Sequence, residues 1–201
     1  MTGARLRRAA RTAPVALAIA ASAAGCGVGD VFGSGDAGGG EVPDGMAVYT
    51  DDGLRAGYPE GWKAPPKNRR LIPGADFEVA GPRTPGGLPQ GTFAAIVERE
   101  QQSVTSLVDH YAGVAKTQRD GQVLERKRIE AGGREAYVLR QAYTASAGQA
   151  TLPIRQVDVY IRVSRQEIAD IRLVYPAAAY DAARPQIDAV ISTIRVTEDG
   201  G

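Results

Sequence analysis

Few residues in this chain have the types and spacing that chemistry needs. His110 is the sole histidine among 201 residues, so a metal site built on several histidines is excluded. Asp109 adjoins it in a stretch with helical periodicity and therefore points elsewhere, because facing pairs on a helix are three or four residues apart. Ser106, four residues earlier, is within reach. A Ser–His pair with no separate orienting acid and no oxyanion turn is not a catalytic triad. No G-x-S-x-G occurs. Gly33-Ser34-Gly35-Asp36-Ala37-Gly38 fits G-x-G-x-x-G formally, but no strand signal precedes it and no helix signal follows to receive a phosphate. The 23 acidic residues are scattered and single out no acid–base pair. The expectation is no catalytic residue, no metal site and no cofactor, and a hydrolase using scattered carboxylates is the enzymatic alternative.

The chemistry that does have a pattern lies at Cys26. As the sole cysteine it cannot form an internal disulfide. Arg5, Arg7, Arg8 and Arg11 form a cationic start, followed by an apolar run from Ala13 to Ala24. That run is shorter than the roughly 20 residues that span a bilayer and has the length of an export-signal core. It ends in Ala23-Ala24-Gly25-Cys26, which resembles the lipobox of bacterial lipoproteins, although Ala23 stands where leucine is usual. The resemblance implies cleavage between Gly25 and Cys26 and a diacylglyceryl group on Cys26. Two acyl chains suffice for stable attachment. The predicted location is the extracytoplasmic face of the cell membrane, with the membrane as a partner through the lipid. Ala21-Ser22-Ala23 is an A-x-A cleavage site in its own right and leaves free secretion as the alternative.

Eight of the 25 glycines fall between Gly27 and Gly45. So polar and glycine-rich a segment cannot offset its ordering entropy by burial. The predicted organisation is a signal peptide over 1–25, a flexible tether over 26–45, a folded domain over 46–196 and a disordered tail over 197–201. Loss of the leader removes four arginines and no acid, so 24 basic residues become 20 against 23 acidic ones, a net charge near −3. That balance gives no case for nucleic acid as a partner. Twenty arginines against four lysines, with abundant alanine and glycine, point to a high-GC genome such as an actinobacterium's.

Within the domain, 46–50 and 54–58 flank Asp51-Asp52-Gly53 as a β-hairpin. Short strands are expected over 77–80 and 92–97. Val104, Leu107, Val108, Tyr111, Val114 and Ala115 then follow the spacing of one helix face, with Ser103 as N-cap. Strands over 123–129 and 135–144 join across Gly132-Gly133, and strands over 154–163 and 168–175 complete a meander. A second helix carries Tyr180, Ala183, Ile187, Val190, Ile191 and Ile194, with Pro185 either kinking it or starting its second half. The predicted fold class is α+β, an antiparallel sheet of about six to eight strands covered by two main helices.

The strand over 154–163 alternates cleanly. Val157, Val159, Ile161 and Val163 take one face, and Gln156, Asp158, Tyr160 and Arg162 take the other. Asp170 and Arg172 belong with the polar set, where cross-strand Asp–Arg pairing is available. Asp158, Tyr160, Arg162, Asp170 and Arg172 are thus the candidate binding face, either a solvated surface or one that meets a partner or ligand. Lys67-Asn68-Arg69-Arg70 and Arg126-Lys127-Arg128 are basic clusters that suit a solvated loop and strand, or anionic head groups. Tyr58 and Trp62 are expected to close a core edge, with Pro59 and Gly61 shaping the turn.

Tyr58-Pro59-Glu60-Gly61-Trp62 after an N-terminal hairpin resembles the aromatic-Pro-x-Gly-Trp signature of the PsbP-like fold. The order helix, meander, helix over 46–196 is similar too, and the lipobox and tether resemble actinobacterial lipoproteins of the LpqN/LpqT type. The resemblance implies a non-enzymatic fold used for docking and assembly, as in an extrinsic photosystem subunit and in a member that binds a small GTPase. It carries no shared catalytic residues. The expected function is a lipid-anchored accessory protein of the cell envelope that docks an unknown envelope protein or ligand. The alternative outside that class is a carrier of a small amphiphile, which an apolar cavity between sheet and helices would favour.

Overall fold

The computed structural model describes residues 42–51, 53–66, 70–85, 87–147 and 150–197, all within the unit Asp36–Gly201. Gly25, Cys26, the glycine-rich stretch as far as residue 41, most of the Lys67–Arg70 cluster and residues 198–201 lie outside the described residues. The elements are β1 (Met46–Asp51), β2 (Leu54–Pro59), β3 (Phe77–Ala80), β4 (Thr92–Arg99), α1 (Val104–Thr117), β5 (Gln122–Ala131), β6 (Arg134–Ala147), β7 (Ala150–Arg162), β8 (Glu167–Pro176), α2 (Ala177–Thr193) and β9 (Arg195–Val196).

Local signals set most of these boundaries. Gly53 turns the first hairpin at φ +72°. Gly132 and Gly133, at φ +57° and +75°, supply the two consecutive left-handed residues that a two-residue hairpin loop requires. Ser103 caps α1, its hydroxyl accepting from the Ser106 amide at 3.1 Å. Pro185 sits inside α2, which runs on through it. The loss of one intrahelical bond costs about 3 kcal/mol and is offset by packing of Tyr180, Ile187 and Val190, all buried in the main core.

All pairing is antiparallel. β3-β4-β8-β7-β6-β5 form a six-stranded sheet and β1-β2-β9 a three-stranded one. The small sheet closes through the chain's C-terminal part, where Leu54 pairs with Val196 and the Thr197 amide donates to the Gly53 carbonyl at 2.8 Å. One face of the large sheet presents Phe93, Val157, Val159, Ile161, Ile171 and Leu173 to Leu54 and Ala56 of β2 and to α2, which makes the main core. The other face packs on α1 through Leu107, Val108, Leu139, Tyr160 and Ile168.

The fold is therefore α+β, with two corrections to the expected layout. Among the described residues nine strands form two sheets; the larger has six, within the expected six to eight, and the three-stranded one was not expected. The helices also cover less than expected. A 14-residue helix is about 21 Å long, whereas the 14-residue strand β6 extends roughly 45 Å. The small sheet fills the remainder on one face. On the other, Ile72 and Ala75 of the segment before β3 pack on Ala94, Ile96 and Val174.

Candidate functional site

The five residues of the candidate face do share a side of the sheet, but that side is covered. In register, Asp158 lies opposite Arg172 and Tyr160 opposite Asp170. Asp158 is 0% exposed, Tyr160 1% and Asp170 8%. Polar alternation marks the side facing away from the main core, not the side facing water. Here α1 and the 70–76 segment lie over it, and the polar groups bond one another in compensation.

Arg172 organises the cluster. Its Nε donates to Asp158 Oδ1 at 2.7 Å and its Nη2 to Asp170 Oδ2 at 2.6 Å. Asp158 also accepts from Gln141 Nε2 at 2.7 Å and from Gln156 Nε2 at 2.8 and 3.0 Å. The Tyr143 hydroxyl donates to Gln156 Oε1 at 2.9 Å. Asp158 is thus a fully partnered carboxylate. Asp170 is not: its Oδ1 and the neighbouring Tyr160 hydroxyl are buried with no hydrogen-bond partner among the described residues. Burial is the main reason that Asp170 is pushed up to about 8; Arg172 opposes the shift and the charge of Asp158 reinforces it. Burial alone would lower the Arg172 guanidinium, but the carboxylates of Asp170 and Asp158 outweigh it and hold the pKa above its ordinary value. Burial likewise raises the Tyr160 and Tyr143 phenols. Tyr111 of α1 stacks on Tyr160 with centroids 5.5 Å apart and seals the cluster from above.

Arg162 stands apart from this group. Its guanidinium donates to the carbonyls of Glu100, Gln102 and Arg165, tying the loop before α1 to the β7–β8 turn. The structure brings Asp158, Asp170, Arg172 and Tyr160 together and gives Arg162 a different neighbourhood.

Next to the cluster, on the same side of the sheet, a cavity of about 350 Å³ opens under the loops at 71–73 and 88–89. Leu71, Pro73, Leu88, Leu152, Ile154 and Val174 wall it, and Gln156, Tyr143 and Arg172 bring the edge of the polar cluster to its lining. Glu78, buried at 3%, hangs the overlying loop in place, its carboxylate accepting from the Leu71 and Ile72 amides at 2.9 and 3.1 Å. Sequence reasoning missed Glu78. A lone glutamate in a short strand is unremarkable, although its parity against Phe77 and Val79 would have placed it on the same side as Asp170.

On the opposite face a groove of about 620 Å³ runs between β5–β6 and the C-terminal half of α2. Arg140 lines it, bonded to Tyr180 Oη at 2.8 Å, Asp188 Oδ1 at 2.9 Å and Glu125 Oε2 at 2.9 Å. Arg126 and Arg128 on β5 pair with Asp109 and Glu135.

The remaining candidates are placed as follows. His110 is exposed on α1, edge-on to Tyr111 at 5.4 Å, while Ser106 bonds Ser103 and Asp109 bonds Arg126. No group of three or more potential metal ligands occurs among the described residues. Tyr58 packs on Phe77 and Phe93, with centroids 5.3 and 5.6 Å away. Half-buried Trp62 lies 6.2 Å from Tyr175, in a slot kept open by Gly81 and Gly91, where any Cβ would approach the indole within 3.0 Å. No described helix is long and apolar enough to cross a membrane.

No protein family and no curated protein matches the chain. Its fold does match solved structures. PA94 of Pseudomonas aeruginosa, a protein of unknown function, aligns with a TM-score of 0.50 at 15% identity over 74% of this chain and 94% of its own. The cyanobacterial PsbP of Synechocystis sp. PCC 6803 aligns at 0.53 and 17% identity over 81% of this chain and 98% of its own. LpqN of Mycobacterium tuberculosis, involved in cell envelope biogenesis, aligns at 0.49 and 15% identity over 76% and 83%. The alignment with the cyanobacterial PsbP shows that the fold is PsbP-like.

Proposed function

We propose that this chain is a lipid-anchored, non-catalytic binding protein of the extracytoplasmic envelope, similar in organisation to actinobacterial LpqN/LpqT-type lipoproteins, and that its ligand enters the cavity beside Arg172. One observation carries the reading: the paired carboxylates are locked to one guanidinium at 2.6–2.7 Å, while the space next to them has an apolar wall. A carboxylate that is 0% exposed meets no substrate. A small, mainly apolar cavity with a few convergent polar groups is the usual form of a ligand site. The cationic leader, the apolar run and Gly25-Cys26 support the anchor.

Docking of an envelope protein is the second reading, favoured by the mixed-charge groove around Arg140, beside the edge strand β5. Complementation of a deletion strain separates the two. Leu152→Trp fills the cavity and Asp188→Lys reverses a charge in the groove. Loss of function only in the first supports ligand carriage, and loss only in the second supports docking. Full activity from both overturns the proposal. Cys26→Ala should move the protein out of the membrane fraction, and retention there through a carbonate wash would overturn the anchor.

A further inference from the structure

The polar end of the cavity has an electrostatic composition that selects among ligands. Three nitrogens of Arg172 carry its donors. Nε and Nη2 are bound to Asp158 and Asp170, so Nη1 is the nitrogen bonded to neither carboxylate and has both of its N–H groups to offer a ligand. The guanidinium's single positive charge is already matched by Asp158 alone, at 2.7 Å and fully buried. A ligand carboxylate placed beside it would be an excess negative charge in a low-dielectric place, close to a carboxylate it cannot displace, and that is unfavourable. A ligand cation would reach no free carboxylate: both oxygens of Asp158 are taken by Arg172, Gln141 and Gln156, and the unpartnered Oδ1 of Asp170 is buried away from the cavity lining. An uncharged group that accepts a hydrogen bond meets neither penalty.

Size sets the second condition. The cavity measures about 350 Å³, and a water-sized group occupies about 30 Å³, so roughly a dozen non-hydrogen atoms fill it. That is the space of one short alkyl chain and is too small to hold two acyl chains side by side. Leu71, Pro73, Leu88, Leu152 and Val174 offer the chain an apolar wall with no charged side chain among them.

We propose that the cavity is a binding site for single-chain amphiphiles with an uncharged, hydrogen-bond-accepting head, which takes a bond from Arg172 Nη1 while the chain lies against Leu152 and Val174. This rests on the cavity reading above and specifies its ligand class.

The test uses the full chain carrying Cys26→Ser, so that no acyl group of its own competes. The fluorescent probe 1-naphthylamine, small enough for the cavity and uncharged at neutral pH, is bound and then displaced by methyl decanoate, decanoate or decylamine, three ligands that share a short saturated chain and differ in head charge. Methyl decanoate is expected to displace the probe at a concentration at least about tenfold lower than either charged ligand. In Leu152→Trp, whose fold is checked by circular dichroism, probe binding is expected to fall by about tenfold or more. Decanoate displacing as well as its methyl ester would overturn the neutral-head inference and leave the cavity reading standing. Probe binding that Leu152→Trp leaves unchanged, or that none of the three ligands reverses, would overturn both.

Discussion

Asp158 and Arg172 face each other directly across the β7–β8 ladder, with Nε 2.7 Å from Oδ1 and the carboxylate fully shielded from water. A pair so placed binds the two strands at the centre of the sheet. Removing one member leaves the other charged and unpaired in a dry environment. Arg172→Ala is expected to destabilise the fold by about 3–5 kcal/mol, the range for breaking a buried ion pair. Arg172→Lys should recover only part of this, since an ammonium lacks the planar fork that serves Asp158 and Asp170 together. Urea unfolding of the three proteins checks the order, and an alanine variant as stable as the parent would refute it.

Asp170 makes stability depend on pH in a direction opposite to that of an ordinary salt-bridged aspartate. In the fold its pKa is pushed up to about 8, chiefly by burial, against about 3.9 in an unfolded chain. The folded state therefore favours the protonated form. Its contribution is fully present below about pH 4 and is lost as pH rises through about 8. Asp170→Asn keeps an oxygen for Arg172 Nη2 and has no proton to lose, so its melting temperature should fall less over that window. Parallel curves for the two proteins would assign the pH dependence to other groups.

Two glycines predict opposite outcomes for the same substitution. A Cβ on Gly91 would lie 2.4 Å from the Tyr175 ring and 2.8 Å from Trp62. Gly91→Ala should therefore cost about 1–3 kcal/mol, the range for overpacking. Gly113 in α1 has nothing within 4 Å of its would-be Cβ, so Gly113→Ala should stabilise by about 0.5–1 kcal/mol through helix propensity. Chemical denaturation measures both.

His110→Ala should leave both stability and biological activity unchanged. The ring is exposed, Asp109 is turned to Arg126 and Ser106 to Ser103, so neither of these neighbours orients the imidazole as a general base. Surface replacements of this sort usually fall within about 0.5 kcal/mol. Loss of complementation by a well-folded His110→Ala would revive a catalytic role.

The sequence made the strands of the meander legible because side chains alternate without interruption from Gln156 to Val163. It also grouped Asp158, Asp170 and Arg172, since parity within a strand depends only on the pleat. What it left open is what lies over that parity. The segment containing Ile72 and Ala75 has neither helical nor strand periodicity, so no local pattern reveals that it folds back onto the sheet. Its anchor, Glu78, acts through two backbone amides of that same segment, a relation that has no sequence signature. The three-stranded sheet was hidden for a related reason: β9 has only two residues, and its partner is separated from it by most of the domain.

That small sheet also sets the order of assembly. Leu54 sits near the start of the domain and pairs with Val196 near its end, so the first two residues of β2 have an unpaired edge until Arg195 and Val196 are in place. For a chain delivered from its N-terminus, by a ribosome or through a pore, the small sheet cannot be completed until Arg195 and Val196 have emerged. Contacts of such long sequence separation form slowly. Truncation just before Arg195 would leave the hairpin edge permanently open, as a site for pairing with a second chain.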